Sequence, residues 1–445
     1  MNIVITLITI FAISIFSLSF VRYKLAVMLY ISYIILVPYM DFKIAGLSLS
    51  YYWVNIVLLC AFIFNFKIKN KISPDFGAIK PFLFLFASLL FISFFADWPS
   101  PEFQLNQWKV DFMQTCILSF IIWNVSINDE KFVTYAKWSL IISILIAGIY
   151  AVLIMGLDGL NPYASFLSLY FNQEIDYAEK FGDSVRIRNQ GTMYHPFAWV
   201  YYLSAFCPFF LTLFLKEKKK KIFYIFLLCF IVFNIVIADV RTGIVSTVVA
   251  LTYIYVRYNK INFKTIFYGI AIVFVLSLIT MGNKELSERF LSLVDVSGTK
   301  SDVEGSSYQM RIDQFEGCFN EISHSPIFGK GYAWTTYYMS KNISHPVLLA
   351  FESLIFVVIC NHGIAGIIIW SIFAIMLFRA PRKILSIKKN VYLVDGVTIF
   401  FFTYSIATGL YGYLAPFAMF YSYLLGYLYM QEQKDEENEK EIDLL

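Results

Sequence analysis

Continuous apolar runs of about 20 residues, separated by short polar connectors, recur along the chain. They lie at 3–21, 25–40, 47–66, 79–96, 110–126, 136–156, 196–215, 221–238, 242–257, 264–280, 353–378, 391–409 and 412–430. Each is long enough to cross a hydrocarbon layer about 30 Å thick. The runs do not alternate apolar with polar, so they predict helices, which satisfy their own backbone hydrogen bonds, rather than barrel strands. The expectation is an all-α polytopic membrane protein with about 12–13 spans, the first two forming a tight pair around Val21–Lys24.

Two longer polar segments interrupt the pattern, at 157–195 and 281–352. Both mix charge with aromatic residues, and the second contains an amphipathic stretch, Arg311–Ile322. Loops of this length are more often functional or disordered than passive connectors. The pattern shows no internal repeat and no separate soluble domain, so a single membrane domain is expected over 1–430. The acidic tail, 431–445, reads as a solvated, disordered end.

Composition agrees. Of the 445 residues, 59% are hydrophobic and 15% charged, and the mean hydropathy is +0.67. Soluble domains average about 45–50% apolar and about 25% charged, which argues against a large soluble helical protein. The net charge of +4 says little, because the charges are sorted by side. Alternate connectors are basic: Arg22 and Lys24; Lys67, Lys69, Lys71 and Lys80; Lys131 and Lys137; the KEKKKK run at 216–221; Arg257, Lys260 and Lys264; Arg379, Arg382, Lys383, Lys388 and Lys389. By the positive-inside rule this side is cytoplasmic, with the C-terminus inside and both long loops outside. The KEKKKK run reads as a topology anchor, or as an anionic-lipid site. The first apolar run lacks a basic leader and a cleavage site and is expected to stay as a helix. Five of the six cysteines lie in apolar runs and Cys318 is alone in its loop, so no structural disulfide is expected. The 19% aromatic content suits lipid-facing and interfacial positions and does not by itself indicate sugar binding.

Candidate chemistry concentrates on the outer side. Arg186 and Arg188 are placed to grip a diphosphate or an anionic sugar with their guanidinium forks, or simply to solvate the loop. His195, before Pro196 at a helix start, suits a positioning or capping role better than that of a base. Asp239 and Arg241 stand between two apolar runs with almost no loop. Charge at that depth marks a functional site, so Arg241 either contacts a ligand or pairs with Asp239. The second loop carries Arg311, His324, Gly329, Gly331 and His345. Gly329 and Gly331 permit tight turns and close approach, but Gly-Lys-Gly is not a phosphate loop of the Walker type. The histidines lack zinc-site spacing, and no nucleophile elbow is present. No metal, cofactor or nucleic-acid partner is expected. Glu352, at the outer edge of the eleventh run, reads either as a general base tuned by burial or as a helix-start carboxylate favoured by the dipole. His362 reads as a packed polar contact or a cavity-lining residue.

Taken together, these segments resemble a known family. Gly191-Thr-Met-Tyr-His-Pro196 resembles the Gly-x-Phe-x-x-Pro segment of the O-antigen ligase and O-antigen polymerase superfamily. Asp239-Val-Arg241-Thr-Gly243 is similar to its Ser-Arg-(Thr/Gly) segment. Arg311 followed by His324-Ser-Pro326-Ile-Phe-Gly329-Lys-Gly331 is similar to its Arg…(His/Asn)-Pro-(Leu/Phe)-x-Gly-x-Gly signature. Glu352 with Asn361-His362-Gly363-Ile-Ala-Gly366 resembles the segment that reads His-Asn…Glu-x-Gly-(Leu/Ile)-x-Gly in ligases. No single motif is specific; their order, spacing and outer placement over about 186–370 carry the resemblance.

The resemblance implies a GT-C-like, metal-independent glycosyltransferase at the periplasmic face of a bacterial inner membrane. Its donor would be a glycan on undecaprenyl diphosphate, with a flippase and a chain-length regulator as candidate partners. Arg241 and Arg311 would hold the diphosphate, and a carboxylate or imidazole would take the acceptor proton. Where ligases carry histidine this chain has Glu352, and His345 lies seven residues earlier. That departure favours a polymerase of O-antigen or capsular repeat units over a ligase to lipid A–core. A lipid-linked oligosaccharide flippase is the alternative from another class, but it would call for midplane charges between repeated halves, which the chain lacks.

Overall fold

The computed structural model describes residues 3–37, 43–44, 47–48, 51–157, 161–171, 178–181, 184–187, 189–193, 195–217, 220–238, 240–259, 308–342, 344–409 and 413–443. The expected span at 264–280, the loop residues 281–307, Arg188 and Asp239 lie outside them.

Nearly every described element is helical. In order they are α1 (Ile3–Val21), α2 (Tyr23–Leu36), α3 (Tyr51–Phe62, continued by a π-helical turn, Ile63–Lys69), α4 (Lys80–Ser93), α5 (Pro101–Asn128), α6 (Glu130–Met155), α7 (Pro162–Phe171), α8 (Pro196–Lys216), α9 (Lys221–Ile237), α10 (Arg241–Asn259), α11 (Tyr308–Glu321), α12 (Trp334–Lys341), α13 (Leu354–Ile384), α14 (Lys388–Thr408) and α15 (Leu414–Asp443). Two small antiparallel hairpins join them: β1 (Lys43–Ile44) with β2 (Leu47–Ser48), and β3 (Ala178–Phe181) with β4 (Ser184–Ile187). Among the described residues five helices are long and apolar enough to cross a membrane: α5, α6, α8, α13 and α14. Each expected run within the described residues contains a helix, although the run at 47–66 opens in β2 and becomes helical only at Tyr51.

Local chemistry sets the helix starts. Asp129 Oδ1 accepts from Phe132 N at 2.8 Å and opens α6. Prolines stand in the first turns of α4, α5 and α8, where a missing N–H costs nothing. In the bundle α10 packs against α8 and α14, α13 against α4 and α14, and α15 against the second half of α5. The core is strongly aromatic: Tyr201 stacks on Tyr413 at 4.4 Å, and Phe82 meets Phe373, Phe417 and Tyr421.

Outward faces are apolar. Ile142, Ile146, Ile149 and Leu153 form an exposed stripe on α6, and Ile364, Ile368, Ile372 and Ile375 do so on α13. Steps of three and four residues put each set on one helix face, as a helix facing lipid requires.

The basic connectors gather at one end of the bundle through ion pairs that span long stretches of sequence. Lys24 pairs with Asp129, Lys434 with Glu130, and Lys137 with Glu217 at 2.6 Å. The tail differs from the expected disorder, because α15 continues without a break to Asp443. Glu432, only 3% exposed, accepts from Ser386 N and Oγ, both at 2.7 Å, and from Asn390 Nδ2 at 2.6 Å. It thereby caps the start of α14. Composition registers the tail's charges but not these partners.

Arg382 grips Asp395 with both terminal nitrogens, at 3.0 and 2.7 Å, and Asp395 is fully buried. Arg382→Ala leaves that carboxylate without its cation. We expect a loss of about 3–5 kcal/mol, read as a lowered unfolding temperature of the purified protein, whereas Arg379→Ala, which breaks no ion pair among the described residues, leaves it nearly unchanged.

Candidate functional site

Helix α13 is not continuous. At Gly363 the backbone turns to φ 59°, ψ −153°, and the regular hydrogen bonds on either side are lost. The segment 326–331 replaces them. Ile364 N donates to Pro326 O at 3.1 Å and Ala365 N to Ile327 O at 3.0 Å. In the other direction, Cys360 O accepts from Lys330 N at 2.9 Å and Asn361 O from Gly331 N at 2.8 Å. Irregular backbone at membrane depth is tolerated only where protein satisfies it, and here the loop does so bond for bond. The contact demands glycine. Gly329 has φ +67°, and a Cβ there would lie 2.6 Å from His362 N; Gly331 has φ +90°, and its Cβ would lie 2.1 Å from Trp98 Cδ1. Two further bonds hold the segment: Asp97 N donates to Gly329 O and Gln104 Nε2 to Lys330 O.

Helix α11 packs beside the first half of α13 through a separate small core that includes Cys318, Ile322, Phe356 and Cys360. This packing carries Arg311 to the start of α13. Its Nη1 donates to Glu352 O at 2.9 Å and to Gln314 Oε1 at 3.3 Å, and its Nη2 stands 3.4 Å from Glu352 Oε2. The side chains are 31% and 43% exposed. Glu352 is therefore not buried, as the first of its two sequence readings required; it is an accessible carboxylate beside a helix start, in a loose pair with a guanidinium.

The turn that presents Glu352 is strained. Leu349 and Phe351 adopt φ +51° and +54°, a region costly for residues with side chains and found where function needs it. Ser353 N donates to Phe351 O at 2.8 Å, and Ser353 Oγ caps α13 by accepting from Ile355 N. Gly409, at the end of α14, presses against the turn: a Cβ there would be 2.2 Å from Phe351 O. On one side of the turn lies a shallow groove that includes Arg311 and Ser353; on the other lies a cavity of about 580 Å³ reaching Phe351 and Gly409.

The remaining expected residues fall into three groups. His345 is buried, and both ring nitrogens are engaged. Nδ1 accepts from Val347 N and Leu348 N at 3.1 and 2.9 Å, which leaves Nε2 to donate to Glu321 Oε1 at 3.1 Å. It fastens the 345–349 turn to α11. His195 caps α8, its Nδ1 accepting from Phe197 N at 3.2 Å. Arg241 begins α10, where the neighbouring Gly243 packs on Val200 of α8. One turn from Val200, Phe197 O accepts from Tyr404 of α14 at 2.6 Å, so Arg241 starts its helix at the same end of the bundle as Gly409 and Glu352. Arg186 lies in β4 opposite Glu179 and is not brought to Glu352 by any described contact. His324 is exposed at the end of α11. Among the described residues no cluster of three His, Cys, Asp or Glu side chains could hold a metal ion.

Sequence reasoning missed the break in α13. Its signal was a glycine following two polar residues, Asn361 and His362, inside an otherwise apolar run. Asn361 Oδ1 accepts from Thr335 N at 2.9 Å, steadying the start of α12.

Residues 225–371 match the O-antigen ligase family. The matched stretch runs from α9 into α13 and so contains Arg241, Arg311, Gly329, Gly331, His345, Glu352 and the break at Gly363. Arg186, Arg188 and His195 precede it. No curated protein matches the chain. The family match supports a function of the O-antigen ligase or polymerase type, with lipid-linked glycans as the substrate class. With the five apolar helices it marks a membrane protein.

Gly363→Ala would place a Cβ 2.5 Å from Pro326 O at a positive φ. We expect the 326–331 segment to be displaced and stability to fall by about 2–4 kcal/mol. Thermal unfolding would register this, with proteolysis showing new cleavage between α11 and α12.

Proposed function

We propose that this protein polymerises undecaprenyl-diphosphate-linked repeat units into O-antigen or capsular polysaccharide, without a metal, at the periplasmic face of a bacterial inner membrane. The observation that supports this reading most is the Arg311–Glu352 pair. It is solvent-accessible, set on a strained turn, and lies within the stretch matched to the family.

The pair lends itself to glycosyl transfer. Arg311, with Arg241 at the same end of the bundle, binds the donor's diphosphate and stabilises the charge that develops as the anomeric carbon–oxygen bond breaks. Turning to the phosphate frees Glu352. The carboxylate then takes the proton of the acceptor hydroxyl as that oxygen attacks the anomeric carbon, and the lipid diphosphate leaves. His345 is less suited to this step, because its nitrogens are committed to Glu321 and to backbone N–H groups. A carboxylate base where ligases carry histidine favours polymerisation. Attachment to lipid A–core is the second reading, drawn from the family match itself.

The test is the surface-polysaccharide profile of a deletion strain complemented with wild type, Arg311→Ala or Glu352→Gln. A polymerase predicts core plus one repeat in the deletion strain, a full ladder with wild type, and ladder synthesis reduced by about 100-fold or more with either variant. Polymer that accumulates on its lipid carrier assigns the ligase instead. Repeat units trapped on the cytoplasmic leaflet would overturn both and indicate a transporter.

A further inference from the structure

The cavity beyond the Glu352 turn has a chemistry the reaction scheme above does not use. It is lined by α2, α3, α5, α8, α12, the 350–351 turn and the starts of α13 and α15. Those ends of α2, α3, α5 and α15 lie opposite the basic connectors. Its volume of about 580 Å³ falls within the range of small-molecule sites, about 300–1,000 Å³.

Polar groups converge on one wall. Asp111 is held by two neighbours: Tyr332 Oη donates to Oδ2 and Gln107 Nε2 to Oδ1, both at 2.9 Å. Immediately after Asp111, α5 passes into a π-helical segment, Met113–Ile117, a distortion frequent at functional sites. Asn55 on α3 donates from Nδ2 to Met113 O at 3.3 Å, while its Oδ1 has no partner among the described residues although the residue is fully buried. Gln114 Nε2, on the same wall, is likewise buried without a partner. An unpaired acceptor and an unpaired donor therefore both line one cavity. Leaving such groups unpaired is costly, a cost a hydroxyl-bearing ligand would remove. Among the described residues no lysine, arginine or histidine lines the cavity, and Asp111 is its one carboxylate.

We infer that this cavity binds the non-reducing end of the acceptor saccharide. The inference rests on the polymerase reading and names the subsite it needs. A diphosphate would find an anion and no described cation here, so the donor's leaving group belongs at Arg311, in the groove beside the turn. The attacking end of the acceptor is the part of a lipid-linked glycan farthest from its own diphosphate. Hydroxyls suit Asp111, Asn55 and Gln114, and the faces of Tyr202 and Phe351 suit the C–H faces of a sugar ring. Phe351 belongs to both the cavity wall and the turn carrying Glu352, so a sugar seated here brings its hydroxyl beside the proposed base.

The test uses full-length protein in lipid nanodiscs and the repeat-unit oligosaccharide released, free of lipid and phosphate, from the native polysaccharide. Equilibrium dialysis and saturation-transfer NMR should show saturable binding to wild type. Arg311→Ala should bind equally well, and Asp111→Asn and Gln114→Leu at least tenfold more weakly with unchanged unfolding temperatures. Inorganic pyrophosphate should not compete. The assignment is overturned by no saturable binding to wild type, by unchanged affinity in both cavity variants, or by displacement with pyrophosphate or with a polyisoprenyl phosphate. The deletion-strain gel separates the two claims. A missing ladder with unaltered binding in the cavity variants rejects this subsite alone, and an intact ladder rejects the polymerase reading itself.

Discussion

A helix interrupted inside an apolar layer must find new partners for the backbone groups it releases, and this requirement organises the end of the molecule opposite the basic connectors. At Gly363 two carbonyls and two N–H groups are freed, and residues 326–331 supply two N–H groups and two carbonyls in return. The exchange fixes that loop in all directions. It also fixes the depth at which α11 and α12, the helices flanking the loop, can sit. Because α11 carries Arg311 and the first half of α13 begins one residue after Ser353, the same exchange sets the distance between Arg311 and Glu352.

The two ends of the bundle are held by different physics. At the end with the basic connectors, charges pair across long sequence separations or cap helix starts, as with Lys137–Glu217 and Glu432 on α14. Burial by itself would raise the pKa of Glu217, but hydrogen bonds from Lys137 and Tyr224 outweigh it and hold that pKa below its ordinary value. Its contribution to stability is thus present above the usual carboxylate range and lost as pH falls through the depressed native value. At the opposite end the ionic pair is loose, accessible and mounted on a turn with two left-handed residues. Tight pairing builds a scaffold, whereas loose pairing leaves groups free to change partners when an anion arrives.

Much of the chemistry expected from single residues becomes scaffolding once partners are known. His345 ties a turn to Glu321, and His195 caps a helix. Asp111, which carries no motif, faces a cavity with two unpaired amide atoms nearby. A histidine in a loop and an aspartate in an apolar run look equally suggestive as letters. Their roles separate only through the hydrogen bonds each makes.

The chain by itself determined the helices, because the length and continuity of an apolar run are local properties read without reference to anything distant. The sorting of lysine and arginine into alternate connectors was legible for the same reason, as were the order of the motifs and the glycines at 329 and 331. What depended on contacts between remote segments was not legible. Arg311 and Glu352 stand 41 residues apart and meet only through the packing of α11 on α13. The break at Gly363 needs a loop from elsewhere to satisfy it, and the helical tail needs Ser386 and Asn390. The cavity exists only where seven helices and a strained turn close around it. Local sequence sets which backbone conformations are available; long-range hydrogen bonding and burial decide which of them the folded chain keeps.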